Sequence, residues 1–191
     1  MKARYFNERD YIKFNNSYWE IIKIEHSHLG RGKANLTFIL KNLENGSTLT
    51  KNFNPDEEIE EIDIEKRKIE YLFRKDKEVY FLDENNKKYR LDAQKLGNKV
   101  NFLKKDLDIK GLFVDDELIG VELPIKAVYE VISAPPNVKG NSEKTNSKIV
   151  TIETGAQISA PLFINVGDKI LINLEKGEYV ERAKWGELCL L

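Results

Sequence analysis

One cysteine, Cys189, one methionine and two histidines are all that 191 residues supply of those types. A lone cysteine closes no internal disulfide, so a disulfide-stapled scaffold is excluded and a reducing, cytoplasmic home is the simplest inference. The two histidines, His26 and His28, have no cysteine beside them. No third ligand presents itself, so they read as plain loop residues and no metal site is assigned. Gly-x-Ser-x-Gly, Walker-type and dinucleotide fingerprints are also missing. Any nucleophile–histidine pair would have to borrow the same two histidines. The chain therefore reads poorly as an enzyme, and neither a catalytic residue nor a cofactor is assigned. No apolar run approaches the ~20 residues of a membrane helix, and the segment Met1 to Glu8 lacks the apolar core of a signal peptide. A membrane partner is not expected.

Charge is plentiful but balanced. Charged residues make up 33% of the chain, hydrophobic residues 41%, and the formal net charge is −1. That balance argues against global attraction to nucleic acid, and the distribution is more informative. Residues 1–53 carry net +4, residues 54–65 net −7, residues 66–126 net +3 and residues 127–191 net −1. A nucleic-acid partner would meet local basic patches, above all near the N-terminus. The acidic run at 54–65 reads as a solvated face or linker.

The pattern is almost entirely β. Short β-branched and aromatic runs recur, separated by turn signals. Asn15-Asn16 separates a run at 11–14 from one at 18–24. Asn45-Gly46 reads as a tight hairpin between 36–43 and 47–53, a turn type that needs positive φ at both central residues. Runs at 69–74, 79–82, 88–91, 109–114 and 118–123 form a second set, with Asp115-Asp116-Glu117 as a turn. Those at 128–132, 149–152, 158–160, 169–174 and 179–182 form a third. The only helical candidate is short, near 93–103. Three sets of about 60 residues predict three small β-barrels, each near the lower size limit for an independent core. The expected domains are 1–64, 65–126 and 127–184, with a tail at 185–191. The polar stretch 133–148 reads as a long loop inside the third barrel.

One segment stands out. Between the runs at 18–24 and 36–43 lies Gly30-Arg31-Gly32-Lys33, with a guanidinium bracketed by glycines. Glycine permits backbone angles other residues avoid and leaves no bulk beside the tip. No Asp or Glu occurs between His26 and Leu43. The local reading is a narrow cationic finger able to reach into a crowded anionic place such as RNA, with an ordinary basic hairpin loop as the alternative.

These features together resemble the bacterial elongation factor P family. The likeness runs through about 3–182. Gly30-Arg31-Gly32-x-Ala34 followed by Leu40-Lys41-Asn42-Leu43 is similar to the family's P-G-K-G-x-A-F…L-K-N-L. Tyr71-Leu72-Phe73-Arg74 with Tyr80-Phe81-Leu82-Asp83, then Ile119-Gly120-Val121-Glu122-Leu123-Pro124, carry it through the middle. Thr151-Ile152-Glu153-Thr154-Gly155-Ala156 and Pro161-Leu162-Phe163-Ile164-Asn165-x-Gly167-Asp168 carry it at the end. The resemblance implies an all-β, L-shaped, tRNA-like body of one SH3-like (KOW-type) barrel and two OB-fold barrels. It implies a monomeric factor that binds the 70S ribosome between the peptidyl and exit tRNA sites, with ribosomal RNA and the peptidyl-tRNA as partners. The implied role is non-enzymatic: promoting peptide-bond formation at polyproline stalls.

In the family, the residue matching Arg31 approaches the acceptor end of the peptidyl-tRNA. Most members carry a modified lysine there. An arginine-bearing branch is rhamnosylated instead, which makes Arg31 the candidate acceptor for a tip-modifying enzyme and Lys33 the less favoured target. The chain departs from that branch at Leu29, where proline is usual. The exit-site codon loop, usually Gly-Asp-Thr, reads Gly140-Asn141-Ser142 and has lost one negative charge. Two other readings stand beside this one: an elongation factor P-like paralogue with a narrower role, and a generic SH3/OB-fold RNA-binding protein.

Overall fold

The computed structural model describes residues 1–27, 35–135 and 147–183. These form fifteen strands in three five-stranded antiparallel sheets. The only helical pieces among the described residues are two 3-10 segments, Ala3–Tyr5 and Gly97–Phe102. The helix expected near 93–103 is reduced to the second of these, which opens on Gly97 at φ +55, outside the right-handed helical region.

The first sheet contains β1 (Tyr11–Phe14), β2 (Ser17–Ser27), β3 (Asn35–Asn42), β4 (Thr48–Phe53) and β5 (Glu60–Ile62), in the order β4-β3-β2-β1-β5. Asn15 and Asn16, at φ 52 and 56, make the two-residue turn from β1 to β2. Strict alternation on β3 sends Leu36, Phe38, Leu40 and Asn42 inward, where they pack with Ile12, Ile21 and Phe53. Asn42 is buried, and its side-chain oxygen accepts the amides of Glu44 (2.9 Å) and Asn45 (3.0 Å). The β3–β4 loop therefore winds around Asn42, and of Asn45-Gly46 only Gly46 (φ 78) takes positive φ. The expected two-residue turn is replaced because a buried amide side chain outcompetes it for these N–H groups.

Of its two readings, the acidic run is a largely solvated face and not a linker. Within it, β5 pairs with β1, Tyr11 opposite Ile62 and Lys13 opposite Glu60, and Ile59 is buried. The chain start holds the same run: the Met1 amino group donates to the Ile59 carbonyl at 2.7 Å, and the Ala3 amide to Glu57 at 2.8 Å.

The second sheet contains β6 (Glu65–Lys75), β7 (Glu78–Asp83), β8 (Lys88–Asp92), β9 (Ile109–Val114) and β10 (Glu117–Glu122), in the order β10-β9-β6-β7-β8. Asp115 and Asp116, at φ 48 and 64, make the turn between β9 and β10. The first two sheets belong to one compact unit, Met1–Gly97 with Asp108–Glu122. Buried Leu43, Leu112 and Ile119 join them, flanked by Tyr11, Tyr18, Ile64 and Val114.

The third sheet contains β11 (Lys126–Ser133), β12 (Ser147–Ile152), β13 (Gln157–Pro161), β14 (Lys169–Asn173) and β15 (Glu178–Arg182), in the order β13-β12-β11-β14-β15. Together with Asn98–Leu107 it forms the second unit. That ten-residue segment is fastened by hydrogen bonds. The Tyr129 hydroxyl donates to the Phe102 carbonyl (2.7 Å) and the Thr154 hydroxyl to Asn101 (2.7 Å). Burial, with Glu153 nearby, pushes the Tyr129 hydroxyl well above the ordinary phenol range, so it stays a donor.

Lys104 is the central fastening. Its ammonium donates to the Val128 carbonyl (2.6 Å) and the Glu153 carboxylate (2.8 Å), and sits 4.5 Å from the centre of the Tyr129 ring. Lys104→Met keeps the apolar stem and removes all three contacts. It is expected to cost ~1–2 kcal/mol, read as a lowered urea midpoint. Glu153→Gln, which still accepts a hydrogen bond, should cost less.

Each sheet has a β-bulge on a long strand, at Ile22, Leu72 and Ile132. An extra residue on one strand sharpens twist and bends it, which lets a five-stranded sheet curl over its own core.

Candidate functional site

The hairpin β2–β3 positions the segment that carries Arg31. Its ladder continues to the pair Ser27↔Asn35. The neighbouring ladders stop earlier: β1 reaches β2 only as far as Glu20, and β4 reaches β3 only as far as Leu36. The last described pairs thus run past both flanking strands as a two-stranded ribbon. The core ends at the same level, with buried Leu36 opposite Phe53, while His26 and Asn35 are exposed.

The electrostatics near the ribbon's end are simple. Glu25 is the acid closest to Arg31 along the chain, and the Lys23 ammonium holds it at 2.7 Å. The hydrogen bond from Lys23 to Glu25 raises the lysine's pKa, so its ammonium is held in the charged form. Between β3 and β4, the Thr37 hydroxyl donates to the Asn52 side chain at 2.8 Å.

Gly30, Arg31, Gly32 and Lys33 lie outside the described residues, as do His28, the candidate codon loop Gly140, Asn141 and Ser142, and the tail at 185–191. In the chain, residues 28–34 lie between Ser27, the end of β2, and Asn35, the start of β3, and residues 136–146 lie between Pro135 and Ser147, the start of β12. Among the described residues, no group of three or more His, Cys, Asp or Glu comes together to hold a metal. No helix among them is long and apolar enough to cross a membrane.

A second arrangement escapes linear reading. Phe73, Tyr80 and Arg90 stand in register on adjacent strands of the second sheet. The signal available in the sequence was an aromatic on each of two neighbouring strands, but the register that aligns them depends on the bulge at Leu72.

Comparison with known proteins places this architecture. Family models match in order: the elongation factor P KOW-like domain over residues 10–59, the elongation factor P OB domain over 64–121 and the elongation factor P C-terminal domain over 128–182. Elongation factor P of Dictyoglomus thermophilum is 36% identical over 173 residues, covering 90% of this chain and 94% of its own. That of Pelotomaculum thermopropionicum is also 36% identical over 173 residues, with the same coverage. That of Gloeothece citriformis is 31% identical over 172 residues, covering 90% and 93%. Among solved structures, the eukaryotic translation initiation factor 5A from Methanococcus jannaschii matches with a TM-score of 0.44 and 16% identity, over 65% of this chain and 90% of its own. The three sheets, the family models and the elongation factor P relatives define a translation elongation factor built from a KOW-like barrel and OB barrels. Within that class, the chain belongs to the elongation factor P family.

Proposed function

We propose that the protein binds the 70S ribosome between the peptidyl and exit tRNA sites and speeds peptide-bond formation on ribosomes stalled at consecutive prolines. Arg31 steadies the acceptor end of the peptidyl-tRNA. The observation that carries this reading is the β2–β3 ribbon. It outruns both neighbouring strands, and the chain it holds is a glycine-bracketed arginine in a stretch free of acids.

The role needs position rather than chemistry. Proline is a constrained, poor reactant, and orienting two reacting ends recovers much of a lost rate. A guanidinium suits the task because it is always charged and presents a fork of donors that matches phosphate oxygens. The factor acts in the cytoplasm as a monomer and is not an enzyme. Arg31 receives a rhamnose from a dedicated modifying enzyme, and Gly140-Asn141-Ser142 meets the exit-site codon region through hydrogen bonds alone.

A reconstituted translation system programmed with a run of prolines tests the reading. Adding the protein should shorten the pause at the proline run and leave a proline-free message unchanged. A pause equal to that with buffer, for protein taken from its native host with any modification intact, overturns it. Intact-mass analysis of that protein checks the sugar: a gain of one deoxyhexose on the Arg31 peptide is expected.

A further inference from the structure

At one end of the third sheet, apolar side chains face water. The loop from β13 to β14 is ordered from within: Ile164 is buried, and the Asn165 amide donates to the Asp168 carboxylate at 2.8 Å. Val131 ties the loop to β11. Its amide donates to the Asp168 carbonyl (2.9 Å), and its carbonyl accepts from the Gly167 amide (2.8 Å). Around this anchor Leu162, Phe163 and Val166 stay outside, at 43%, 56% and 60% exposure. Ile132, the bulge residue beside Val131, is 51% exposed. Single apolar residues on a surface are ordinary, but several gathered on one hydrogen-bonded turn mark a surface that something covers.

The described chain stops at the same place. The Ala183 amide donates to the Lys169 carbonyl at 2.8 Å, and the Arg182 guanidinium meets the Asp168 carboxylate at 2.8 Å. Residues 184–191 follow directly, reading Lys-Trp-Gly-Glu-Leu-Cys-Leu-Leu, with Trp185, Leu188, Leu190 and Leu191 apolar. They lie past residue 182, where the likeness to the family's C-terminal domain ends. Reach is sufficient. Val166 is at most ~11 Å and Leu162 at most ~25 Å from Lys169, from the number of residues between them, and residues 184–191 extend to ~27 Å.

The size of the patch selects its occupant. A stable complex with a second copy or another protein buries about 800 Å² on each side. Four half-exposed side chains supply much less. A segment already tethered beside the patch needs less, because it loses no translational freedom on docking and a short link holds it at about millimolar effective concentration. We propose that residues 185–191 dock on the patch of Leu162, Phe163, Val166 and Ile132, with Trp185 and the leucines against it. The chain thus covers the loop end of its own third barrel. The inference concerns the third sheet alone, so it stands or falls separately from the polyproline reading.

Fluorescence of Trp185 in the full chain tests this. Trp19, whose indole N–H donates to the Phe14 carbonyl at 3.0 Å, is the only other tryptophan, and Trp185→Phe supplies its spectrum for subtraction. Trp185 should emit at shorter wavelength than in urea and be quenched several-fold less by iodide. Phe163→Ser keeps the carbonyl that accepts from the Asn165 side chain (3.0 Å) and should return both readings to their urea values. The double change Leu188→Ser with Leu190→Ser leaves the barrel untouched and should do the same. A p-benzoylphenylalanine placed at 166 should cross-link to the peptide 185–191 of the same chain, a result that decides the matter even if Phe163→Ser fails to fold. Solvent-like emission in the unaltered protein, protection that persists in folded Phe163→Ser or in the double leucine variant, or a cross-link only between two chains or to no part of 185–191 would each overturn the proposal.

Discussion

Gly120→Ala is expected to destabilise the first compact unit by about 3 kcal/mol, the penalty of overpacking a well-filled contact. A Cβ at Gly120 would stand 2.7 Å from the Leu43 carbonyl oxygen, 3.3 Å from its carbon and 3.4 Å from the Glu44 Cα. All three are backbone atoms, so no rotamer change relieves the clash. At Gly111 the contacts are side-chain atoms of Phe113, Leu118 and Ile69, which have some freedom to move. Leu43 has little. Its amide donates to the Tyr18 carbonyl at 2.9 Å, and its side chain is buried with Leu112 and Ile119. The added methyl would therefore push the first two sheets apart at the point where they are joined. Two nearby ion pairs, Lys95 with Glu44 at 3.0 Å and Lys66 with Glu122 at 2.6 Å, are largely exposed on the lysine side and offset little of that loss.

Torsional strain is a separate effect, and a second glycine isolates it. Gly167 has φ +87 and nothing within 4 Å of a built Cβ. Gly167→Ala should cost only ~1–2 kcal/mol, the price of a left-handed backbone for a residue with a Cβ. Urea denaturation of both variants checks the order. A Gly120→Ala midpoint matching that of the unaltered protein would show that the junction of the two sheets is looser than this packing implies.

Elements governed by local rules were legible in the sequence. Asn15-Asn16 and Asp115-Asp116 announce turns because short polar side chains tolerate positive φ, and β3 announces itself by alternation. Features defined by a distant partner were not. β5 hides in an acidic run because what makes it a strand is its pairing with Tyr11–Lys13, not its own composition. Asn45-Gly46 misleads because the decisive group is the buried side chain of Asn42, three residues earlier. Residues 98–107 lie between strands of the central sheet, yet Tyr129, Lys104 and Thr154 tie them to the third. The candidate site divides in the same way. A lone arginine between glycines can be seen in one dimension, whereas the Phe73–Tyr80–Arg90 row needs two registers and a bulge.

Arg31→Ala is expected to cut the acceleration at a proline run by roughly 10- to 100-fold, the scale on which loss of orientation slows a positioned reaction. Folding stability should stay within ~0.5 kcal/mol, the usual scale for a substitution in a connection between strands. Arg31→Lys separates charge from shape. An ammonium keeps the positive charge but loses the planar fork, so partial activity means that charge alone carries part of the contact. Lys33→Ala tests the register. Its effect should be small, because Lys33 lies beyond the second glycine, closer to the anchored end at Asn35. The measurement is the rate of peptide-bond formation at the stall in a reconstituted system, with melting curves on each variant. Full activity in Arg31→Ala together with a large loss in Lys33→Ala would move the working cation two residues along and sink the assignment of Arg31. Full activity in both would detach the hairpin from the reaction altogether, because no other Lys or Arg lies between Lys23 and Lys41.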